Sequence, residues 1–314
     1  MSNFELSNSQ IYITDEPSPI LGNQSDQHSN LFKVRFWGVR GLIPTPTRCN
    51  SRYGGNTSCV EIYVGGQRLI FDGGTGLRIL GRNWQKIDQP LEAHLFFTNS
   101  QSNRIQGFPF FAPAFIPDNY FHIYGTAASN GASIKQCLCD QMLQPHFPYP
   151  LQAMQSTLEF YNITPGKFIE LKNDVKIKTQ LVNKTQRSMG YRISWEGYNV
   201  AYATDVHKII NSEEQARILE IIENADLWIT NSTYTPPTDH HHEPMESFWK
   251  TSVELAAMAR VKQLIISQHH PDHDDHFLDT MQDKIKSIFP NGLLACEGMT
   301  LLFNVNYQLE VSKE

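Results

Sequence analysis

The chain has 314 residues, a formal net charge of -6 and a pI near 6.1. With 40% hydrophobic and 18% charged residues its composition is globular, and the acidic balance lacks the basic face of a general nucleic-acid binder. No apolar run reaches the ~18 residues that a membrane-spanning helix needs.

Residues 1–31 are rich in Asn, Ser, Gln and Asp and contain Glu16-Pro17-Ser18-Pro19, which predicts a flexible tail. The first residues carry neither a basic start nor an apolar core, so no secretory signal is expected. Residues 32–39 alternate and predict a strand, and 58–74 predict two strands around Gly65-Gly66. A short helix is expected over 76–84 and a buried strand over 93–98. Then come six polar residues, Asn99 to Arg104, with no acid and no histidine among them. That is the C-terminal end of a buried strand, where α/β proteins usually keep their chemistry.

Further on, strands are expected at 122–126, 156–163, 168–182 and 189–205, the last broken by a turn at Glu196-Gly197. Helices are expected at 133–143, at 212–225 with Ser212 as N-cap, at 247–261 and at 279–289. In the third of these, Val253, Leu255, Ala256 and Met258 fall near one side. Strands at 226–233 and 262–270 alternate with these helices. The order fits two β-sheets flanked by helices, in one domain over 32–314. Cys49, Cys59, Cys137, Cys139 and Cys296 form an odd, scattered set that reads as free thiols in a reducing compartment, and a cytoplasmic protein is expected.

Several strings, in order along the chain, resemble the metallo-β-lactamase-fold hydrolases, in their phosphodiesterase and ribonuclease Z-like branch. They are FWGVRGLIPTP (36–46), RYGGNTSCVEI (52–62), IFDGGTGLRILG (70–81), IQGFPFFAPAF (105–115), GYRI (190–193) and YATD (202–205). The resemblance implies a four-layer αββα sandwich with the active site at one edge. It also implies two cations, usually zinc, held by histidines and carboxylates around an activated water. The first ligand motif of that family, His-x-His-x-Asp-His, lies between a Thr and Ile-Gln-Gly. Here Thr98 and Ile105-Gln106-Gly107 are intact, and the four ligand places hold Asn99, Gln101, Asn103 and Arg104. Counted onto this sequence, the next histidine place falls on Lys184, the bridging aspartate on Asp205 and an accessory histidine on Glu246. The last falls on Gln268, with His269 one step away.

Asn and Gln are poor zinc ligands beside imidazole, and a guanidinium never becomes a neutral ligand. Two cations among the former ligands repel a metal pair by about 4 kcal/mol per contact at 4 Å. The expectation is therefore that the metal pair is gone, that no cofactor replaces it, and that Arg104, Lys184 or both pair with Asp205. Arg40, Arg104 and Lys184 would make the relic cleft an anion site.

The histidine-rich stretches 238–244 and 268–276 are expected to be solvated loops. The acids Asp272, Asp274 and Asp275 are expected to cap the last helix. The functional expectation is a catalytically degenerate protein that binds, scaffolds or regulates. A protein partner, a nucleotide or other phosphate-bearing ligand, and a homodimer are expected, with no membrane. The alternative is a phosphodiesterase-like hydrolase with zinc in a rebuilt or single-metal site around Asp205 and His240, His241, His242, His269 or His273.

Overall fold

Apolar residues in the strands recur at every second position, and each set finds its own partner layer. The computed structural model describes residues 11–14, 31–87, 90–206, 212–232 and 247–303. One sheet has eight strands: β1 (Ile11–Thr14), β2 (Phe32–Gly38), β3 (Cys59–Val64), β4 (Gln67–Phe71), β5 (Glu92–Phe96), β6 (Tyr120–Gly125), β7 (Thr157–Asn162) and β15 (Thr300–Phe303). The other has seven: β8 (Phe168–Glu170), β9 (Lys176–Asn183), β10 (Ser188–Trp195), β11 (Tyr198–Tyr202), β12 (Leu227–Asn231), β13 (Gln263–Ser267) and β14 (Gly292–Leu294). Their orders are β1-β15-β2-β3-β4-β5-β6-β7 and β14-β13-β12-β11-β10-β9-β8. Residues 11–14, inside the expected tail, thus form an edge strand paired antiparallel with β15.

Between the sheets lies a core that includes Phe36, Phe71, Phe96, Tyr191 and Tyr202. The other face of the first sheet is covered by α1 (Gly76–Trp84) and α3 (Ile134–Gln141), through Leu77, Leu80, Ile134 and Leu138. The outer face of the second is covered by α4 (Ser212–Ile222), α5 (Ser247–Met258) and α6 (Asp275–Ile288), through Ile221, Val253, Leu255 and Leu278. The result is four layers, helices–sheet–sheet–helices. Met258, expected with the apolar side of its helix, is 58% exposed: at about 100° per residue it falls outside the arc of Val253, Leu255 and Ala256, which are buried. α6 begins a turn earlier than its periodicity indicates, where Asp274 accepts from the Phe277 amide at 2.8 Å and so caps it. Asp275 accepts from the amides of Arg52 and Tyr53.

Two parallel runs position the candidate site. β4, β5, β6 and β7 are parallel neighbours, as are β11, β12, β13 and β14. The residues following β4, β5, β11, β12 and β13 therefore leave at the C-terminal edges of their strands, where a crevice forms in such sheets.

Candidate functional site

Asp72 follows β4, Thr98 and Asn99 follow β5, Asp205 follows β11, and Gln268 follows β13. A short helix, α2 (Ser102–Ile105), carries Asn103 and Arg104. The loop before it turns on Asn99, whose Oδ1 accepts from the Gln101 amide at 3.0 Å, an Asx-type turn. Asp72, Asp205, Gln268 and the nearby Leu42 all have left-handed backbones, with φ of 60°, 62°, 55° and 57°. Non-glycine residues in that region carry strain of about 1 kcal/mol or more each, and here four of them surround one cleft.

The surviving frame has a packing reason. Gly107 donates to the Gly73 carbonyl at 2.9 Å, and Gly73 donates to the Arg104 carbonyl at 2.6 Å. A Cβ on Gly107 would lie 1.9 Å from the Gly74 carbonyl oxygen. Gln106 Nε2 donates to Thr57 Oγ1 at 3.0 Å. Ile-Gln-Gly is thus the docking edge of the Asp-Gly-Gly turn, and it is required whether or not a metal binds.

At the centre is Arg104, 1% exposed. Its Nη1 donates to Asp72 Oδ2 at 2.6 Å and its Nη2 to Asp205 Oδ1 at 3.0 Å; its Nε has no partner among the described residues. Both carboxylates are otherwise occupied. Asp72 Oδ1 accepts from the amide and hydroxyl of Thr98 at 2.9 and 2.8 Å, and Oδ2 also accepts from the Tyr202 hydroxyl at 2.8 Å. Asp205 Oδ2 accepts from Ser188 Oγ at 2.7 Å and Asn99 Nδ2 at 3.1 Å. The Asp205 carbonyl accepts from Asn183 Nδ2 at 3.0 Å. Gln268 Nε2 reaches Ser58 Oγ at 3.3 Å, which lies 2.9 Å from the Tyr202 hydroxyl. This is the arrangement in which a buried ion pair is tolerable: close geometry, with nearly every remaining polar atom partnered.

The electrostatics follow from depth and neighbours. Burial opposes the charge on Arg104, but the Asp205 and Asp72 carboxylates outweigh it and hold the guanidinium above its ordinary value. Burial pushes the Asp72 carboxyl up, against the pull of Arg104 and of the Thr98 and Tyr202 hydrogen bonds. Burial, with Asp72 beside it, keeps Tyr202 far above the ordinary phenol range, so it remains a hydrogen-bond donor.

The structure brings Asn99, Gln101, Asn103, Arg104, Asp205 and Gln268 to the cleft and leaves other expected residues out. A hollow of about 230 Å³ is lined by Leu42, Gln101, Asn103, Arg104, Asp205, Asn231 and Gln268, among others. Lys184 does not pair with Asp205; it is 53% exposed and bridges to Glu213 at 3.1 Å. The adjacent Asn183 turns inward instead. Arg40 is fully buried, and its Nε and Nη1 donate to the carbonyls of Gly54 and His273 at 2.6 and 2.7 Å, with His270 O at 3.2 Å. It clamps loops and presents no charge to the cleft. His269 points away: its Nε2 lies 2.8 Å from the Ala295 carbonyl and its ring packs edge-on against Tyr53. Gln268 therefore takes the cleft position. Glu246, His240, His241 and His242 lie outside the described residues.

Sequence reading missed Ser188, Tyr202, Asn183 and Asn231 as partners of the two aspartates. Tyr202 and Asn231 stand at the ends of apolar strands, the one signal that could have flagged them. Arg187 was also missed. It lines an adjoining hollow of about 250 Å³ that shares Gln101 and Gln186 with the first, and its Nε donates to the Ala127 carbonyl at 2.8 Å.

A pair of zinc ions does not fit this donor set. The nitrogens and oxygens at the motif positions are neutral amides, the fourth position is a guanidinium, and both Asp205 oxygens are committed. The sequence matches no protein-family model and no curated protein. Solved structures do match. The metallo-β-lactamase-fold protein YhfI from Bacillus subtilis aligns with a TM-score of 0.60 at 15% identity, over 87% of this chain and 99% of its own. A diphosphatase of the PhnP family gives 0.61 at 14%, over 86% and 96%. The short form of human tRNase Z gives 0.57 at 16%, over 85% and 98%. With this agreement across whole chains, and with the two-sheet, four-layer architecture above, the chain has the metallo-β-lactamase fold.

Proposed function

We propose that this is a catalytically degenerate metallo-β-lactamase-fold protein that works by binding rather than by metal-dependent hydrolysis. The observation that carries this is Arg104, which stands at a ligand place of the motif and joins Asp205 and Asp72 at 3.0 and 2.6 Å. The positive charge that two metals would bring is supplied by a side chain that cannot leave or activate water. The alternative, a rebuilt hydrolase site on Asp205 and the later histidines, meets a carboxylate with both oxygens engaged and a His269 turned to a backbone carbonyl. In this reading the cleft needs no cofactor, and the chain acts in the cytoplasm through a protein or ligand partner. Among the described residues no helix is long and apolar enough to cross a membrane. Incubated with zinc or manganese, the protein is expected to give no turnover of a generic phosphodiester such as bis(p-nitrophenyl) phosphate. Turnover that depends on the added metal would overturn the proposal.

The anion-binding part of the proposal moves to Arg187. Of the three cations that first supported it, Arg104 alone lines the cleft, and two carboxylates consume its charge. A phosphate-bearing ligand would span the two adjoining hollows, with amides from Gln101 and Gln186 and the charge from Arg187. Calorimetry with nucleotides, cyclic nucleotides and short RNA is expected to show binding that weakens about tenfold in Arg187→Ala, the loss of one charge-assisted contact. No heat with any of them removes the anion reading and leaves a scaffold.

A further inference from the structure

Opposite the cleft, at the N-terminal ends of the same strands, lies a different cluster. Glu92 begins β5, seven residues before Asn99, up to about 23 Å along the chain direction at ~3.3 Å per residue. Glu92 and His94 share a face with Phe96 of the inter-sheet core, because strand side chains alternate. β6 pairs with β5 so that His94 lies opposite His122, and β7 pairs with β6 so that His122 lies opposite Glu159. Three side chains thus meet where the inter-sheet space opens at the end near β7 and β8, beside a hollow of about 570 Å³.

We infer that Glu92, His94 and His122 form a binding site for a single divalent transition-metal ion of the zinc class. Each residue offers one ligand atom, and the three atoms lie within 4.8 Å of one another. Each imidazole is held by an outer partner, while Glu92 is shared with a lysine that opposes the ion. Glu92 Oε2 takes Lys172 Nζ at 2.8 Å, leaving Oε1, which faces His122 Nε2 at 3.3 Å. His94 Nδ1 is 3.3 Å from the Tyr124 hydroxyl, leaving Nε2. His122 Nδ1 is 3.2 Å from the Tyr161 hydroxyl. Outer partners of this kind fix the tautomer and aim of a metal-binding imidazole.

The hydrogen-bond accounting gives a second reason. The Tyr161 hydroxyl donates to Glu159, so its oxygen accepts from His122, and Nδ1 must carry the proton. In the neutral ring Nε2 then presents a lone pair to a carboxylate oxygen, an arrangement that calls for a positive charge between them. Either a second proton or a cation provides it. The rings of His94 and His122 are stacked at 4.5 Å and 10°. Two nitrogens on one ion at tetrahedral angles stand about 3.3 Å apart. Because an imidazole lone pair lies in its ring plane, the two rings must tilt out of parallel to share an ion, a motion that rotation of the half-buried His122 supplies. Two imidazoles and one carboxylate leave a fourth position open toward the hollow, whose rim includes Lys167 and Phe168. Lys172 is 68% exposed and competes with the ion for Glu92.

Cobalt(II) titration of the full chain, after chelation and dialysis, tests this through the visible absorption of the bound ion, with zinc as competitor. One equivalent is expected to bind with tetrahedral-type absorption. Glu92→Gln and His122→Gln should each weaken it by roughly 100-fold, at or beyond the upper end of outer-partner effects, while Lys172→Ala should tighten it. The triple replacement of His240, His241 and His242 by alanine should leave it unchanged. Circular dichroism checks folding; because His94 is buried, the rim residues Glu92 and His122 decide the matter if His94→Gln fails to fold. Absence of binding, or binding that survives in Glu92→Gln and His122→Gln, overturns the inference and leaves an imidazolium–carboxylate pair only.

Discussion

Replacing Arg104 by alanine is expected to destabilise the protein by about 3–5 kcal/mol, the range for removing one partner of a buried ion pair. The loss is large because two carboxylates depend on this guanidinium. Asp72 is 1% exposed and Asp205 6% exposed, and without Arg104 both would remain charged and desolvated, or would have to take up protons. Hydrogen bonds from Thr98, Tyr202, Ser188 and Asn99 persist, but they carry no net charge. Asp205→Asn should cost much less, about 1–2 kcal/mol, because Arg104 keeps Asp72. Combining Arg104→Met with Asp205→Asn should recover part of the loss relative to Arg104→Met alone, because one fewer carboxylate is stranded. Urea denaturation at pH 7 reads all four variants. A change below about 1 kcal/mol for Arg104→Ala would mean that Arg104 does not neutralise the site.

Stability is expected to fall by about 4 kcal/mol between pH 7 and pH 5 through two histidines, each contributing about 2. Burial, with Arg40 adding its charge, lowers His269 to about 3. Burial, with His270 and Arg40, lowers His273 to about 4. The unfolded chain takes up these protons near pH 6.5. Above that value both states are neutral and the full stability is present. As the pH falls below it, the unfolded chain binds protons that the native state refuses, and stability drops until the native histidines titrate near pH 3–4. Denaturation midpoints from pH 8 to pH 4 measure the slope, and His269→Gln should remove about half of this two-histidine share. A flat profile through pH 5–7 would contradict the assignment.

Much of the fold was legible because its motifs are long and its strands alternate. The residues of β2, α1 and β5 fall where period and turn chemistry place them. In the cleft, Asn99, Arg104, Asp205 and Gln268 were legible from their fixed distance to Thr98, Ile-Gln-Gly, Tyr-Ala-Thr-Asp and the β13 strand. Lys184 was not. Counting back from Gly190 assumes an even hairpin, but the register between β9 and β10 shifts between Ser188 and Met189, and a slip of one residue exchanges the two faces of a strand. Asn183 therefore turns in and Lys184 out. Arg40 was misjudged for a different reason: residue type gives charge but not the direction in which it is spent, and backbone carbonyls took it. The Glu92–His94–His122 group stayed hidden because β5 and β6 meet only through pairing across 23 residues of intervening chain, 97 to 119.

The Arg104 network has a consequence for how the molecule folds. Asp72 and Thr98 belong to one sheet's strand ends, and Asp205, Ser188 and Tyr202 to the other's. The shared guanidinium therefore ties segments more than a hundred residues apart in the chain, from 72 to 205. Loop-closure entropy makes such contacts late to form, after each sheet has built its local pairings. Its stabilisation would then be largely absent from the folding transition state and would act chiefly by slowing unfolding. The Arg104 network is then a latch on the closed sandwich, governing how long the native state lasts more than how quickly it is reached.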